Sequence, residues 1–281
     1  MEKKTMAIIA VIAVVAVILV AGSTNGWFGK QHANENLSIS GSTTVLPIAQ
    51  NASEAFMANN SWASITVSGG GTGVGIQSVG TGTVQIGMAS RQITSTEKAL
   101  YPNLVETQIG LDGIVMIVHT SNSVSSLSMT QIRGIYNGTY TNWNQLGGSN
   151  LPIVVVGRDS TSGTRTFFSD TVMKKQNCTS SMLEKSSNGA VQETIKTTPG
   201  AIGYVGLGYV DSTVKGLPVE VNGLKITASA STILDNSYPI ARGLYFYTQG
   251  QPTGIAKDYI DFVLSADGQN IVSDQGFVKL P

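Results

Sequence analysis

The residues best suited to chemistry lie in one stretch, Gly157-Arg158-Asp159-Ser160-Thr161-Ser162-Gly163-Thr164-Arg165-Thr166-Phe167-Phe168. It follows a β-branched apolar run, Ile153 to Val156, and enters a segment able to form a helix. A strand, a hydroxyl-rich turn and a helix start together make an anion seat. The N–H groups of a first helical turn have no partner inside the helix, and the helix dipole favours negative charge there. Ser162 and Thr164 add hydroxyl donors, Gly163 admits a ligand to the backbone, and Arg158 supplies a planar cationic fork suited to a tetrahedral oxyanion. An ordinary capped helix would look the same, since Ser and Thr are common N-caps.

The same design occurs twice more. Leu37 to Ser40 reads as a strand that ends at Gly41-Ser42-Thr43-Thr44. Val45 to Met57 then carries a helical stripe of Leu46, Ala49, Ala52 and Phe56, with Pro47 suited to a first turn. Ile65-Thr66-Val67 reads as another strand, followed by Ser68-Gly69-Gly70-Gly71-Thr72-Gly73-Val74-Gly75. That loop lacks the Gly-Lys-Ser/Thr of a nucleotide P-loop and the glycine spacing of a dinucleotide fingerprint; its plain alternative is a flexible loop. Suppose the seats at Thr43-Thr44, Thr72-Gly73 and Ser162 to Thr164 face each other across two lobes. They would then surround a tetrahedral anion with neutral donors, about ten hydrogen bonds at most. Without such donors, burying the charge would be strongly unfavourable.

The elements that must position these seats alternate along the chain. Val84 to Ala89 is a buried-type strand ending at Ser90-Arg91, where Arg91 either reaches an anion or pairs with a carboxylate. Gly110-Leu111-Asp112-Gly113 precedes Ile114 to Val118, a run suited to a central strand buried on both faces. Thr130 to Tyr136 forms a short amphipathic helix, Asn142-Trp143 lies in a loop, and Ser186-Ser187-Asn188 opens another helix. Gly200 to Val205 and Tyr238 to Tyr247 read as strands, and Ile255 to Leu264 as a final amphipathic helix. The alternation predicts α/β layers with largely parallel sheets.

Composition narrows the function. A chain of 281 residues is long enough for two lobes. The formal net charge is zero and only 12% of residues are charged, so nothing marks a nucleic-acid partner. One cysteine, Cys178, excludes an intrachain disulfide and a thiolate metal cluster. Of two histidines, His32 lies in the N-terminal tail and His119 in a strand-like run where it is structural. A hydrolase built on Ser162 would lack its base, and a phosphatase its metal cage, so no enzyme, cofactor or metal is expected. Residues 1–22 combine a positive start with an apolar run from Met6 to Gly22, a signal peptide or a signal anchor. Ser23 stands where a lipoprotein would carry its lipidated cysteine. Residues 23–36 read as a linker.

In order and spacing, Ser40-Gly41-Ser42-Thr43-Thr44-Val45, Gly69 to Gly73, Ile86-Gly87-Met88-Ala89-Ser90-Arg91 and Arg158 to Thr164 resemble the phosphate-binding protein of the phosphate ABC importer. Ala201-Ile202-Gly203-Tyr204 and Asp261-Phe262-Val263-Leu264-Ser265 reinforce the resemblance, which covers the chain from about Leu37 onward. It implies the two-lobed type II periplasmic binding fold, each lobe a mixed, mostly parallel sheet flanked by helices. It also implies capture of inorganic phosphate outside the cell, by a monomer, and delivery to a permease, with membrane association if the N-terminal segment is retained. By position, Thr43, Thr44, Thr72, Gly73, Arg158, Ser162, Gly163 and Thr164 would bind the anion, with Ser90 beside them. Lobe I would comprise residues 37–110 and 243–281, and lobe II residues 111–242. Crossovers near Gly110 to Gly113 and Ile240 to Gly243 would form a hinge.

One departure stands out. The best-known branch of that family has an aspartate after Ala-Ser, which accepts the phosphate proton; this chain has Arg91. Asp112 or Asp159 is expected to take over, with Arg91 contacting the anion or bracing that carboxylate. A cargo of sulfate, molybdate or another oxyanion stays open on these residues, as does a sensor or adhesion module on the same fold.

Overall fold

The computed structural model describes residues 33–281. The N-terminal apolar segment and most of the expected linker lie outside the described residues. The first strand begins at Glu35, two residues before the sequence pattern places it.

The elements run β1 (Glu35–Gly41), α1 (Leu46–Asn59), β2 (Ala63–Gly69), α2 (Thr72–Gly80), β3 (Ile86–Ala89), α3 (Ser95–Leu100) and β4 (Leu104–Val118). The middle of the chain adds β5 (Leu127–Ser128), α4 (Met129–Tyr136), β6 (Val154–Arg158), α5 (Gly163–Thr171), β7 (Leu183–Lys185), α6 (Asn188–Thr197) and β8 (Ala201–Gly206). Three short strands follow, β9 (Lys215–Leu217), β10 (Val219–Val221) and β11 (Leu224–Ile226). Then come α7 (Ala230–Leu234), β12 (Ala241–Gln249), α8 (Gly254–Leu264) and α9 (Ala266–Asp274).

Among the described residues nine strands join in the order β2-β1-β3-β12-β4-β8-β6-β7, with β9 also on β4; β11, β10 and β5 make a small separate sheet. Pairing is parallel in the wings, β1 with β3 and β6 with β7 and β8. It is antiparallel through the middle, where β12 meets β3 and β4, and β4 meets β8 and β9. The physical reason is β4. Its 15 residues pair with β12 over Leu104 to Gly113 and with β8 over Ile114 to Val118, so one strand serves both halves of the sheet. The segment Gly110 to Gly113 therefore lies inside a strand rather than before one. The register sets Arg242 directly opposite Asp112.

Side-chain alternation explains how β4 is covered on both faces. Ile114, Met116 and Val118 enter one core with Tyr136, Trp143, Phe168, Ile202 and Tyr204. Val115 and Ile117 enter another with Val156, Val191, Ile195 and Val205. A third core, around Ile39, Ile48, Phe56, Met88, Phe246 and Tyr259, packs β1, β3 and β12 against α1 and α8. The sheet halves thus carry separate hydrophobic centres, as a two-lobed fold requires.

Two local contacts aim the functional turns. Phe168 stacks on Tyr204 with ring centroids 4.2 Å apart, and the Tyr204 hydroxyl accepts from the Arg158 N–H at 3.2 Å, fixing the end of β6 relative to α5. On the other side, a Cβ on Gly75 would lie 2.7 Å from Met88 O and 2.8 Å from Ser40 O. Helix α2 can press so closely on β1 and β3 only with glycine there. The Gly75→Ala variant is expected to unfold at lower urea concentration, with a loss of about 1–3 kcal/mol from overpacking against rigid backbone. Wild-type stability in an equilibrium urea titration would show that α2 does not rest on this contact.

Candidate anion-binding site

The three turns converge. Thr43 and Thr44 precede α1, Thr72 is the first residue of α2 behind Gly71, and Ser162 caps α5 by accepting from Arg165 N at 3.2 Å. All are buried, with Thr72 0%, Thr44 1%, Thr164 1% and Ser90 1% exposed, unusual for hydroxyl side chains and a sign of mutual bonding. Thr44 Oγ1 and Thr164 Oγ1 share a hydrogen bond of 3.2 Å, although 120 residues separate them. Thr72 Oγ1 accepts from Ser90 N at 3.1 Å and lies 3.4 Å from Ser90 Oγ. A Cβ on Gly163 would come within 2.3 Å of Thr72 Oγ1 and 2.9 Å of Ser90 Oγ, so the start of α5 abuts the start of α2 with only glycine fitting between. The Gly163 and Thr164 N–H groups sit in that first turn, where no helical carbonyl can accept from them.

At the centre lies a residue that the sequence pattern did not single out. Arg242, in β12, is buried and reaches four partners. Its Nε donates to Asp112 Oδ2 at 3.0 Å and its Nη1 to Ser90 Oγ at 3.2 Å. Its Nη2 donates to Asp112 Oδ2 at 2.8 Å, to Thr164 Oγ1 at 3.0 Å and to Thr44 Oγ1 at 3.4 Å. Asn188, the first residue of α6, is a second addition: its Nδ2 donates to Thr43 Oγ1 and Thr44 Oγ1, and its Oδ1 accepts from Gly206 N. Tyr209 adds a third contact by donating to Thr43 O at 2.5 Å. The available signals were a lone arginine in an apolar, aromatic strand and an amide just inside a helix start.

Asp112 stands where the sequence places it, fully buried beside the cluster. Burial pushes its carboxyl above the ordinary range, while Arg242 and the N–H groups of Leu207 and Gly113 oppose that shift. Burial likewise pulls Arg242 below its ordinary value and Asp112 holds it up; a guanidinium stays charged under both influences. Arg158 lies nearby, 1% exposed, its Nε and Nη2 donating to Lys185 O and Ser186 O. Burial lowers its pKa, Asp159 and Tyr204 resist, and Arg242 adds repulsion, so two cations share one interior. Gly73 is close to the seats but spends its N–H on Thr161 O at 2.9 Å.

Two expected residues are not brought into the cluster. Arg91 forms a two-pronged pair with Glu97, Nη1 to Oε2 at 2.7 Å and Nη2 to Oε1 at 2.8 Å, and also donates to Gln92 O. Glu97 belongs to the capping box of α3 with Thr94, so the helix cap captures Arg91 before it can reach Asp112. Arg91 instead lines a cavity of about 370 Å³ with Phe167, Arg242 and Tyr245. The Phe167 ring lies 6.0 Å from Arg242 Cζ and stands over the guanidinium. Asp159 also stays outside, its Oδ1 accepting from Thr161 N and Oγ1. Among the described residues no group of three or more His, Cys, Asp or Glu side chains is placed to hold a metal.

A two-lobed α/β fold with an enclosed nest of hydroxyls, helix starts and the buried guanidinium of Arg242 at its centre defines a solute-binding protein for a small oxyanion. Residues 28–267 match the family model described as a PBP superfamily domain. The chain is 35% identical over 254 residues to the phosphate-binding protein PstS of Bacillus subtilis, covering 90% of this chain and 83% of that protein. It is 32% identical over 262 residues to PstS of Borreliella burgdorferi, covering 89% and 92%. A crystal structure of a candidate phosphate ABC transporter substrate-binding protein with bound phosphate, from Clostridium perfringens, superposes with a TM-score of 0.83 at 36% identity, covering 88% of this chain and all of that one. The chain belongs to the PBP superfamily and, within it, to the family of these phosphate-binding proteins.

The placements of Arg91 and Arg242 separate in one experiment. Arg242→Gln is expected to abolish anion binding, whereas Arg91→Gln leaves affinity within about threefold. Arg91→Gln should instead lower stability near neutral pH, by an amount that fades in acid. Burial alone would raise the Glu97 carboxyl, but Arg91 and Thr94 hold it below its usual 4.5. The stabilisation is therefore present above that value and lost as pH falls through the lower, folded value. Urea titrations of both proteins at neutral and at acid pH check this; a stability gap that does not narrow in acid would contradict it.

Proposed function

We infer that this chain is an extracytoplasmic solute-binding protein that captures inorganic phosphate between its two lobes and delivers it to the permease of an ABC importer. The observation that carries this reading is the cluster itself: Thr44, Ser90 and Thr164 gathered, buried, around the Arg242 guanidinium, with Thr72 bonded to Ser90, in a chain of this family. Each hydroxyl can turn its O–H from a neighbour onto a phosphate oxygen. The first-turn N–H groups of α5 add donors at the positive end of a helix dipole. Neutral donors suit a reversible carrier, because they compensate a buried anion without a large excess of fixed charge.

Discrimination rests on the proton. Phosphate near neutral pH carries at least one, and sulfate none. Asp112 is the carboxylate in contact with the cluster, and burial makes it receptive to a proton. Its lone pairs are engaged by Arg242, Leu207 and Gly113. A phosphate oxygen that draws Arg242 Nη2 onto itself frees one Oδ2 lone pair for the phosphate O–H. Sulfate would set lone pairs against lone pairs there. In this reading Asp112 replaces the aspartate that follows Ala-Ser elsewhere in the family.

The lobes are assigned as residues 37–110 with 243–281, and 111–242, hinged where β4 and β12 cross. The chain acts as a monomer and as a binding protein rather than an enzyme: Ser162 Oγ serves as a helix cap, and His119 bonds to Ser121 in a turn. An N-terminal anchor would hold the protein at the membrane surface. No helix among the described residues is long and apolar enough to cross a membrane.

Isothermal titration of the full-length chain, stripped of bound anion, tests the cargo. One-to-one phosphate binding is expected, with no displacement by sulfate or molybdate. Either of those binding more tightly would overturn the phosphate reading. Asp112→Asn should lose roughly 10- to 100-fold in phosphate affinity, the worth of one hydrogen bond to a charged group, without weakening sulfate. An unchanged phosphate affinity would remove Asp112 from the selection step.

A further inference from the structure

Outside the seat, two loops from opposite sides of the cleft touch through one residue that has no ligand role. Thr161, in the turn between β6 and α5, donates its hydroxyl to Gly70 O at 3.1 Å, and its carbonyl accepts from Gly73 N at 2.9 Å. The contact is tight enough to dictate the glycines facing it. Gly71 has φ +94, and a Cβ there would lie 2.6 Å from Thr161 Oγ1 and 2.7 Å from Thr161 O. These loops carry Thr72 on one side and Ser162 to Thr164 on the other. The contact therefore closes directly over the cluster.

We propose that Thr161 is a closure clasp: a positioning residue that sets how long the lobes stay shut on bound phosphate, with Asp159 tuning its strength. The inference rests on the phosphate reading of the neighbouring seat. The tuning follows from proton counting. A threonine hydroxyl has one proton, yet Thr161 Oγ1 has two acceptors in reach, Gly70 O across the cleft at 3.1 Å and Asp159 Oδ1 within its own turn at 2.7 Å. The carboxylate is the stronger acceptor, so it draws the proton away from the cross-cleft bond and keeps the clasp from holding fully. The weak clasp lets the lobes part, as a carrier that must release its cargo to a permease requires. Asp159 thus acquires a role distinct from the proton acceptance expected from sequence.

Removing the hydroxyl and removing the competing charge should act in opposite directions. Thr161→Val keeps the backbone bond to Gly73 but loses the bond to Gly70, and phosphate should leave about two- to tenfold faster, the worth of one neutral hydrogen bond. Thr161→Ser should restore the wild-type rate. Asp159→Asn exchanges the carboxylate for a weaker amide acceptor, returns the proton to Gly70 O, and should slow release by a few-fold. Thr161 is exposed and Asp159 half-buried, so the variants should fold; thermal melts alongside the kinetics show whether a rate change is only a loss of stability. The readout is phosphate release by stopped flow on the full-length chain. Release rates unchanged in Thr161→Val and Asp159→Asn, with wild-type phosphate affinity, would overturn the clasp and leave the seat intact. Absence of phosphate binding in the unmutated chain would remove the functional reading beneath it as well.

Discussion

The structure depends on one buried ion pair. Arg242 and Asp112 face each other across the antiparallel pairing of β12 and β4, with side chains 1% and 0% exposed. Taking two charges out of water costs several kcal/mol per ion even after relaxation. The pair persists only because the remaining lone pairs and protons find partners. Leu207 and Gly113 satisfy the carboxylate, and Ser90, Thr44 and Thr164 satisfy the guanidinium. The hydroxyl cluster is thus more than a set of ligands awaiting an anion. It is the solvation shell of a cation fixed on β12 opposite β4.

That placement connects chemistry to motion. Under the lobe assignment proposed above, the strands bearing the pair are the hinge, and the guanidinium would lie near its axis. Thr44 and Ser90 come from the first part of the chain and Thr164 from the middle, and all three meet at Arg242. Under that assignment an anion bonding to the same hydroxyls would gain contacts on closing, so binding and closure would favour each other. The Phe167 ring over the guanidinium and the cavity beside Arg91 mark the outer side of the same cleft.

Much of this was legible in the sequence. Strand, hydroxyl turn and helix start are local patterns, and Thr43-Thr44, Thr72 and Ser162 to Thr164 fall where those patterns place them. Asp112 is conspicuous as a carboxylate at the mouth of an apolar strand run. Arg242 was not, because its role depends on the register of β12 against β4, and register between strands about 130 residues apart leaves no local trace. Asn188 was hidden for the same reason: an amide at a helix start looks like a cap, and only the tertiary fold brings it to Thr43 and Thr44. Arg91 misled in the opposite direction. Its position in the family pattern pointed to the anion, but the capping box six residues later offered a closer and better-matched carboxylate. The sheet was expected to be largely parallel because the strands alternate with helices; the long antiparallel β4–β12 ribbon is a non-local pairing that alternation does not encode. Helix α9 and the small β5, β10 and β11 sheet were too short or too polar to show a clear period.

The central claim is that phosphate is held by the hydroxyls that now solvate Arg242. A crystal structure of the full-length chain grown with inorganic phosphate tests it most directly. The account requires one tetrahedral anion within hydrogen-bonding distance of Thr44, Thr72, Ser90, Thr164 and the Arg242 guanidinium, with Asp112 beside the protonated oxygen. An anion seated instead against Arg91 in the outer cavity, or one that leaves the Arg242 bonds to Thr44 and Thr164 undisturbed, would contradict it.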